Sequence, residues 1–113
     1  MSKRIQRLNE LVKREVSRLL LKEIEFPKDA LVTVTRVQIS TGLSQAKIYI
    51  SVIPEKYFSK IFQILNKNVS FLQNKINQLL IIRKVPKITF VEEEKTREAA
   101  RIEELLEKVE KNG

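Results

Sequence analysis

The sequence predicts an α+β domain in which helices pack on a three-stranded sheet. Three observations carry this reading. Apolar residues recur at helical spacing from Arg4 to Ile24. Apolar and polar residues alternate from Gln45 to Ile53. A second helical stretch follows Pro54 and is interrupted at Asn66-Lys67-Asn68-Val69-Ser70, with one more short apolar strand beyond it. With 113 residues, 42% hydrophobic and 32% charged, the chain suits a single packed core.

The first helix places Ile5, Leu8, Leu11, Val12, Val16, Leu19 and Leu20 on its apolar side, and Pro27 stops it by disfavouring helical geometry at Phe26. Leu31 to Ile39, rich in Val, Thr and Ile, reads as a strand. Ser40-Thr41-Gly42 is a turn signal. In Gln45 to Ile53, Ala46, Ile48, Ile50 and Val52 share one face, so the two strands form an antiparallel hairpin. Pro54 suits a first helical position, and Phe58, Ile61, Phe62 and Leu65 follow.

After the interruption, Ser70-Phe71-Leu72-Gln73 matches a capping box opening a new helix with Leu72, Ile76, Leu79 and Leu80. Ile88-Thr89-Phe90-Val91 is the third strand. Ala99, Ile102, Leu105, Leu106 and Val109 mark a last, charged helix. Residues 1–91 therefore read as the domain and 92–113 as a charged helical extension.

Charge is unevenly spread over this frame. The chain carries net +8, but residues 1–91 hold 17 Lys and Arg against 6 Asp and Glu, while residues 92–113 hold 5 against 8. A basic body with a mildly acidic end suits a polyanion-binding surface. At 100° per residue, Arg4, Arg7, Arg14, Arg18 and Lys22 fall within an arc of about 80° beside the apolar one, with Glu10 and Glu15 outside it. The row is roughly 27 Å long at 1.5 Å per residue. Arg14–Arg18 and Arg18–Lys22 repel at i,i+4, which makes sense if an external polyanion neutralises them; a solvated face is the plain alternative.

Two further clusters extend the candidate surface. At the interruption, Lys67, Asn68, Ser70 and Lys75 surround a helix start whose free N–H groups favour phosphate; a simple kink that wraps the sheet explains it equally well. Arg83 and Lys84, with Lys87, flank Pro86 and either continue the basic surface or form a solvated loop.

The residue set argues against an enzyme. There is no His and no Cys, and Gly42 and Gly113 are the only glycines, too few for a phosphate-cradling loop. Glu92-Glu93-Glu94 reads as a solvated connector rather than a cation site. No cofactor is implied. Phe58, Phe62, Phe71 and Phe90 read as core, and Tyr49 as a half-exposed packing residue with base stacking as the alternative. The longest apolar run, Leu79 to Ile82, is too short to span a membrane.

Several segments resemble ribosome-binding factor A. They are Arg4-Ile5-Gln6-Arg7-Leu8-Asn9-Glu10-Leu11-Val12-Lys13-Arg14-Glu15-Val16, Val34-Thr35-Arg36-Val37-Gln38-Ile39-Ser40, Leu43-Ser44-Gln45-Ala46-Lys47-Ile48-Tyr49-Ile50-Ser51, and Arg83-Lys84-Val85-Pro86-Lys87-Ile88-Thr89-Phe90. Together the resemblance covers roughly residues 3–107.

It implies a type II KH-like domain, α-β-β-α-kink-α-β, with a C-terminal helix added. It also implies binding to the small ribosomal subunit and its precursor ribosomal RNA during late maturation, with a link to growth in the cold; the absence of Cys fits a cytoplasmic protein, and a monomer is expected. The family's Ala-x-Gly kink is matched here by Asn68-Val69-Ser70, so a kink of altered geometry is expected. A KH-type module for another single-stranded RNA, and a protein-interaction domain using the last helix, remain competing readings.

Overall fold

The computed structural model describes residues 3–82 and 84–94. Their order is α1 (Lys3–Glu23), β1 (Leu31–Ile39), β2 (Gln45–Ile53), a 3-10 turn (Glu55–Tyr57), α2 (Phe58–Lys67), α3 (Val69–Leu79) and β3 (Lys87–Glu92). The expected last helix at Ala99 to Val109 lies outside the described residues, as does Arg83.

The sheet is mixed. β1 pairs antiparallel with β2, from Leu31 opposite Ile53 to Ile39 opposite Ala46. β3 pairs parallel with the other side of β2, from Lys87 beside Gln45 to Glu92 beside Ile50. The order β1-β2-β3 leaves β2 central, and its core-facing Ile48 and Ile50 are fully buried. The β1–β2 register slips between Val34 and Arg36. Because of this bulge, Val34 and Val37, three positions apart, both face the core with Ile39.

All three helices cover the face bearing these residues. α1 seats Val12, Val16, Leu19 and Leu20 in the core, lies on β1 and touches α3. The Asn9 side-chain oxygen also accepts the Ile39 N–H at 3.1 Å. Ile61 and Leu65 of α2 and Leu72 and Ile76 of α3 complete the interior, with Ile88 and Phe90 from β3.

Four sequence expectations are corrected. Pro54 is not the first helical residue: it is extended and precedes the 3-10 turn, and α2 opens only at Phe58. The capping box does not form. α3 opens at Val69 without a side-chain cap, because Gln73 is engaged elsewhere: its Oε1 accepts the Ile88 N–H at 2.8 Å and its Nε2 donates to the Pro86 carbonyl at 3.1 Å. These two hydrogen bonds pin α3 to the start of β3. Phe71 is 40% exposed rather than core, since it points away from the Leu72–Ile76 face; Phe58 and Phe62 are half-buried and stack at 4.5 Å. Of these four rings, only Phe90 is buried as expected.

The fourth correction concerns the glutamate run. Glu93 is buried. Its Oε2 accepts from Thr35 Oγ1 at 2.8 Å and Arg36 Nε at 3.0 Å, and its backbone N–H donates to the Ile50 carbonyl. Desolvation of a carboxylate is tolerated where hydrogen bonds and a cation replace water. Arg36 in turn lies 3.8 Å over the Tyr49 ring, and Tyr49 donates its hydroxyl to Gln38. The half-buried Tyr49 is thus a packing residue whose ring face already carries a guanidinium.

Candidate nucleic-acid interface

The cations predicted on the first helix are all exposed: Arg4, Arg7, Arg14, Arg18 and Lys22. They keep this position because the neighbouring side of α1 is held by Val12, Val16 and Leu19 in the core. Glu15, just outside the edge of the basic arc on the helical wheel, is in contact with the row. It is half-buried and reaches Arg14 and Arg18, each at 3.8 Å. Such long pairs to exposed arginines are weak, but one carboxylate between two arginines offsets part of their repulsion.

The other predicted residues divide between the two ends of α3. At its start, Asn68 is the single residue separating α2 from α3. Its backbone N–H bonds to the Ile64 and Leu65 carbonyls, and its Nδ2 donates to the Ile64 carbonyl at 2.8 Å. The Asn68 amide therefore closes α2 rather than pointing outward, while Lys67 and Ser70 are exposed beside it. The break needs no glycine, because Asn68 has φ −102° and ψ 6°, and Leu43 is the one described non-glycine residue with positive φ.

Along α3, Lys75 is half-buried and its Nζ lies 5.6 Å from the Phe71 ring. Gln73, two residues earlier, faces β3; a rotation of about 200° puts Lys75 on the edge away from β3.

Beyond the C-terminal end of α3, about 16 Å from the break at 1.5 Å per residue, Lys84 meets Arg4 and Arg7 across a groove. Its apolar lining comes from Leu8 and Leu11 of α1, Leu43 of the β1–β2 turn and Ile82 of the loop after α3. Neither Leu43 nor Ile82 stands out in the sequence. A leucine in a turn and the end of an apolar run carry no signal that they converge. So Arg4, Arg7 and Lys84 come together, Lys67 and Ser70 form a separate group, and Lys75 lies between them. Among the described residues, no group of acidic side chains is arranged to hold a metal ion. Among them too, no helix is long and apolar enough to cross a membrane.

A mixed three-stranded sheet covered on one face by three helices, two of them abutting at a kink, with a cationic first helix, defines a KH-like α+β domain. The ribosome-binding factor A family model matches residues 4–106, and the chain belongs to that family. A ribosome-binding factor A of Thermodesulfovibrio yellowstonii is 36% identical over 111 residues, covering 98% of this chain and 94% of that protein. The crystal structure of ribosome-binding factor A from Thermus thermophilus superposes with a TM-score of 0.65 at 18% identity, covering 78% of this chain and 93% of that one. A homology model of the Thermus thermophilus factor, as fitted into a cryo-EM map of its complex with the 30S subunit, superposes with a TM-score of 0.63 at 21% identity, covering 75% of this chain and 90% of that one.

Proposed function

We propose that this chain is a non-catalytic ribosome-assembly factor. It binds the small ribosomal subunit or its precursor RNA in the cytoplasm and assists late maturation of that RNA. The observation that carries the reading is the solvent-facing row Arg4, Arg7, Arg14, Arg18 and Lys22 on α1, in a chain whose Thermus thermophilus relative is described in a complex with the 30S subunit. Phosphate contacts by such a row supply affinity that falls steeply with salt, while single-stranded regions and shape supply selectivity. Lys67, Ser70, Lys75 and Lys84 extend the cationic surface around α3.

Co-sedimentation with small subunits at low salt tests the proposal. The protein is expected in the subunit fraction, and its remaining in the supernatant refutes the reading. Competition with arbitrary single-stranded RNA separates it from a KH-type module with a non-ribosomal target: equal competition favours the latter.

A further inference from the structure

We propose that the groove between α1 and the loop after α3 receives an unstacked nucleobase of single-stranded RNA, with Arg4, Arg7 and Lys84 meeting the adjoining phosphates. The inference rests on the RNA-binding reading above and gives it a ligand geometry. A surface that only tracks phosphates needs cations and no apolar floor. Here the open groove has a volume of about 620 Å³, within the usual range for small-ligand sites of roughly 300–1,000 Å³. It brings Leu8, Leu43 and Ile82 together with three cations. A nucleotide joins a flat, weakly polar base to an anion, which is the same pairing of chemistries. Single-strand recognition works by splaying bases out of the stack and holding them between side chains.

The β1–β2 turn supplies an independent observation. Leu43 has φ 58°, a left-handed backbone that is an outlier for a bulky residue. Gly42 next to it does not take that conformation. The turn is held there by its own bonds. The Leu43 N–H donates to the Ser40 carbonyl at 2.9 Å, and the N–H groups of Ser44 and Gln45 both donate to Ser40 Oγ at 3.1 Å. Such a conformation persists where the surroundings over-determine it, and these outliers cluster at ligand clamps. Its effect is to bring Leu43 into the apolar lining of the groove. The cation row continues from the groove through Arg14, Arg18 and Lys22, which suits a repeating polyanion better than a short acidic peptide.

The test uses the full chain and fluorescence anisotropy with a short single-stranded RNA, its abasic counterpart and its duplex. Leu43→Asn keeps a side chain that tolerates positive φ, and Ile82→Ser changes a residue already 38% exposed. The wild-type protein is expected to prefer the intact strand over the abasic one about tenfold, and each variant to lose most of that preference. Equal wild-type affinity for intact and abasic strands overturns the inference, as does a variant that retains the preference. Displacement of the RNA by a synthetic peptide of residues 95–113, with no base preference, assigns the groove to the chain's own C-terminal segment and also overturns it. Absence of any RNA binding by the wild-type protein refutes the underlying reading instead.

Discussion

The Glu93 carboxylate lies 3.0 Å from Arg36 Nε, with 7% of its side chain exposed against 51% for the arginine. This pair joins the residue just beyond β3 to the bulge of β1, across the central strand. The register slip at Thr35 is what makes it possible, because it turns both the Thr35 hydroxyl and the Arg36 guanidinium toward one acceptor. Glu93→Ala is expected to lower stability by about 1–3 kcal/mol, the cost of leaving donors around a buried site without their acceptor. Half-exposure of Arg36 lets water recover part of that cost. Urea denaturation measures the loss, and a double-mutant cycle with Arg36→Ala should give a coupling energy above about 0.5 kcal/mol.

Charge reversal on α1 should separate binding from folding. Arg7→Glu, Arg14→Glu and Arg18→Glu together are expected to abolish most co-sedimentation with small subunits. Single Arg→Ala changes should each reduce the slope of log affinity against log salt by about one. Reversal replaces the weak pairs to Glu15 with like-charge pairs on α1, each costing a few tenths of a kcal/mol, so the domain should still fold, with its melting temperature lowered by several degrees. Unchanged binding by the triple variant would remove α1 from the interface.

Gln73→Ala should loosen the joint between α3 and β3. It leaves the Ile88 N–H, bonded at 2.8 Å, without its acceptor, at a cost of about 1–3 kcal/mol. Hydrogen exchange at the Ile88 amide is the direct readout. Accelerated exchange there is the expected result.

Restoring a glycine at the kink should not help. Ser70 lies in the first turn of α3, and its backbone is not left-handed. Ser70→Gly is therefore expected to destabilise by roughly 0.5 kcal/mol through lost helix propensity. Increased stability, measured by chemical denaturation, would show that the kink is strained where the backbone angles show no strain.

Much of this architecture is legible in the sequence where its information is local. Strands Leu31–Ile39 and Gln45–Ile53 are readable to the residue because alternation, turn chemistry and β-branching agree there. The slip is written too, in the change of phase from Val32 and Val34 to Val37 and Ile39, but alternation alone does not say which residues straddle it. Expectations fail where a partner is distant. Glu93 resembles its solvated neighbours until Arg36, 57 residues earlier, is placed beside it. Gln73 fits a capping pattern until Ile88 claims its side chain. The α1 cations are legible because one helix face carries them, whereas the groove is not, because Leu8, Leu43 and Ile82 meet only after the sheet and helices have packed.

The parallel pairing of β3 with β2 also orders events in time. β1 and β2 are joined by a short turn and need only a local hairpin, which closes fast. β3 reaches β2 only after the chain has run through α2 and α3, so this step bears the larger loop-closure entropy. The β1–β2 hairpin can thus assemble while the rest of the chain is still being synthesised. The Arg36–Glu93 clasp, made by the end of the last strand upon the first, closes only when the whole domain has emerged.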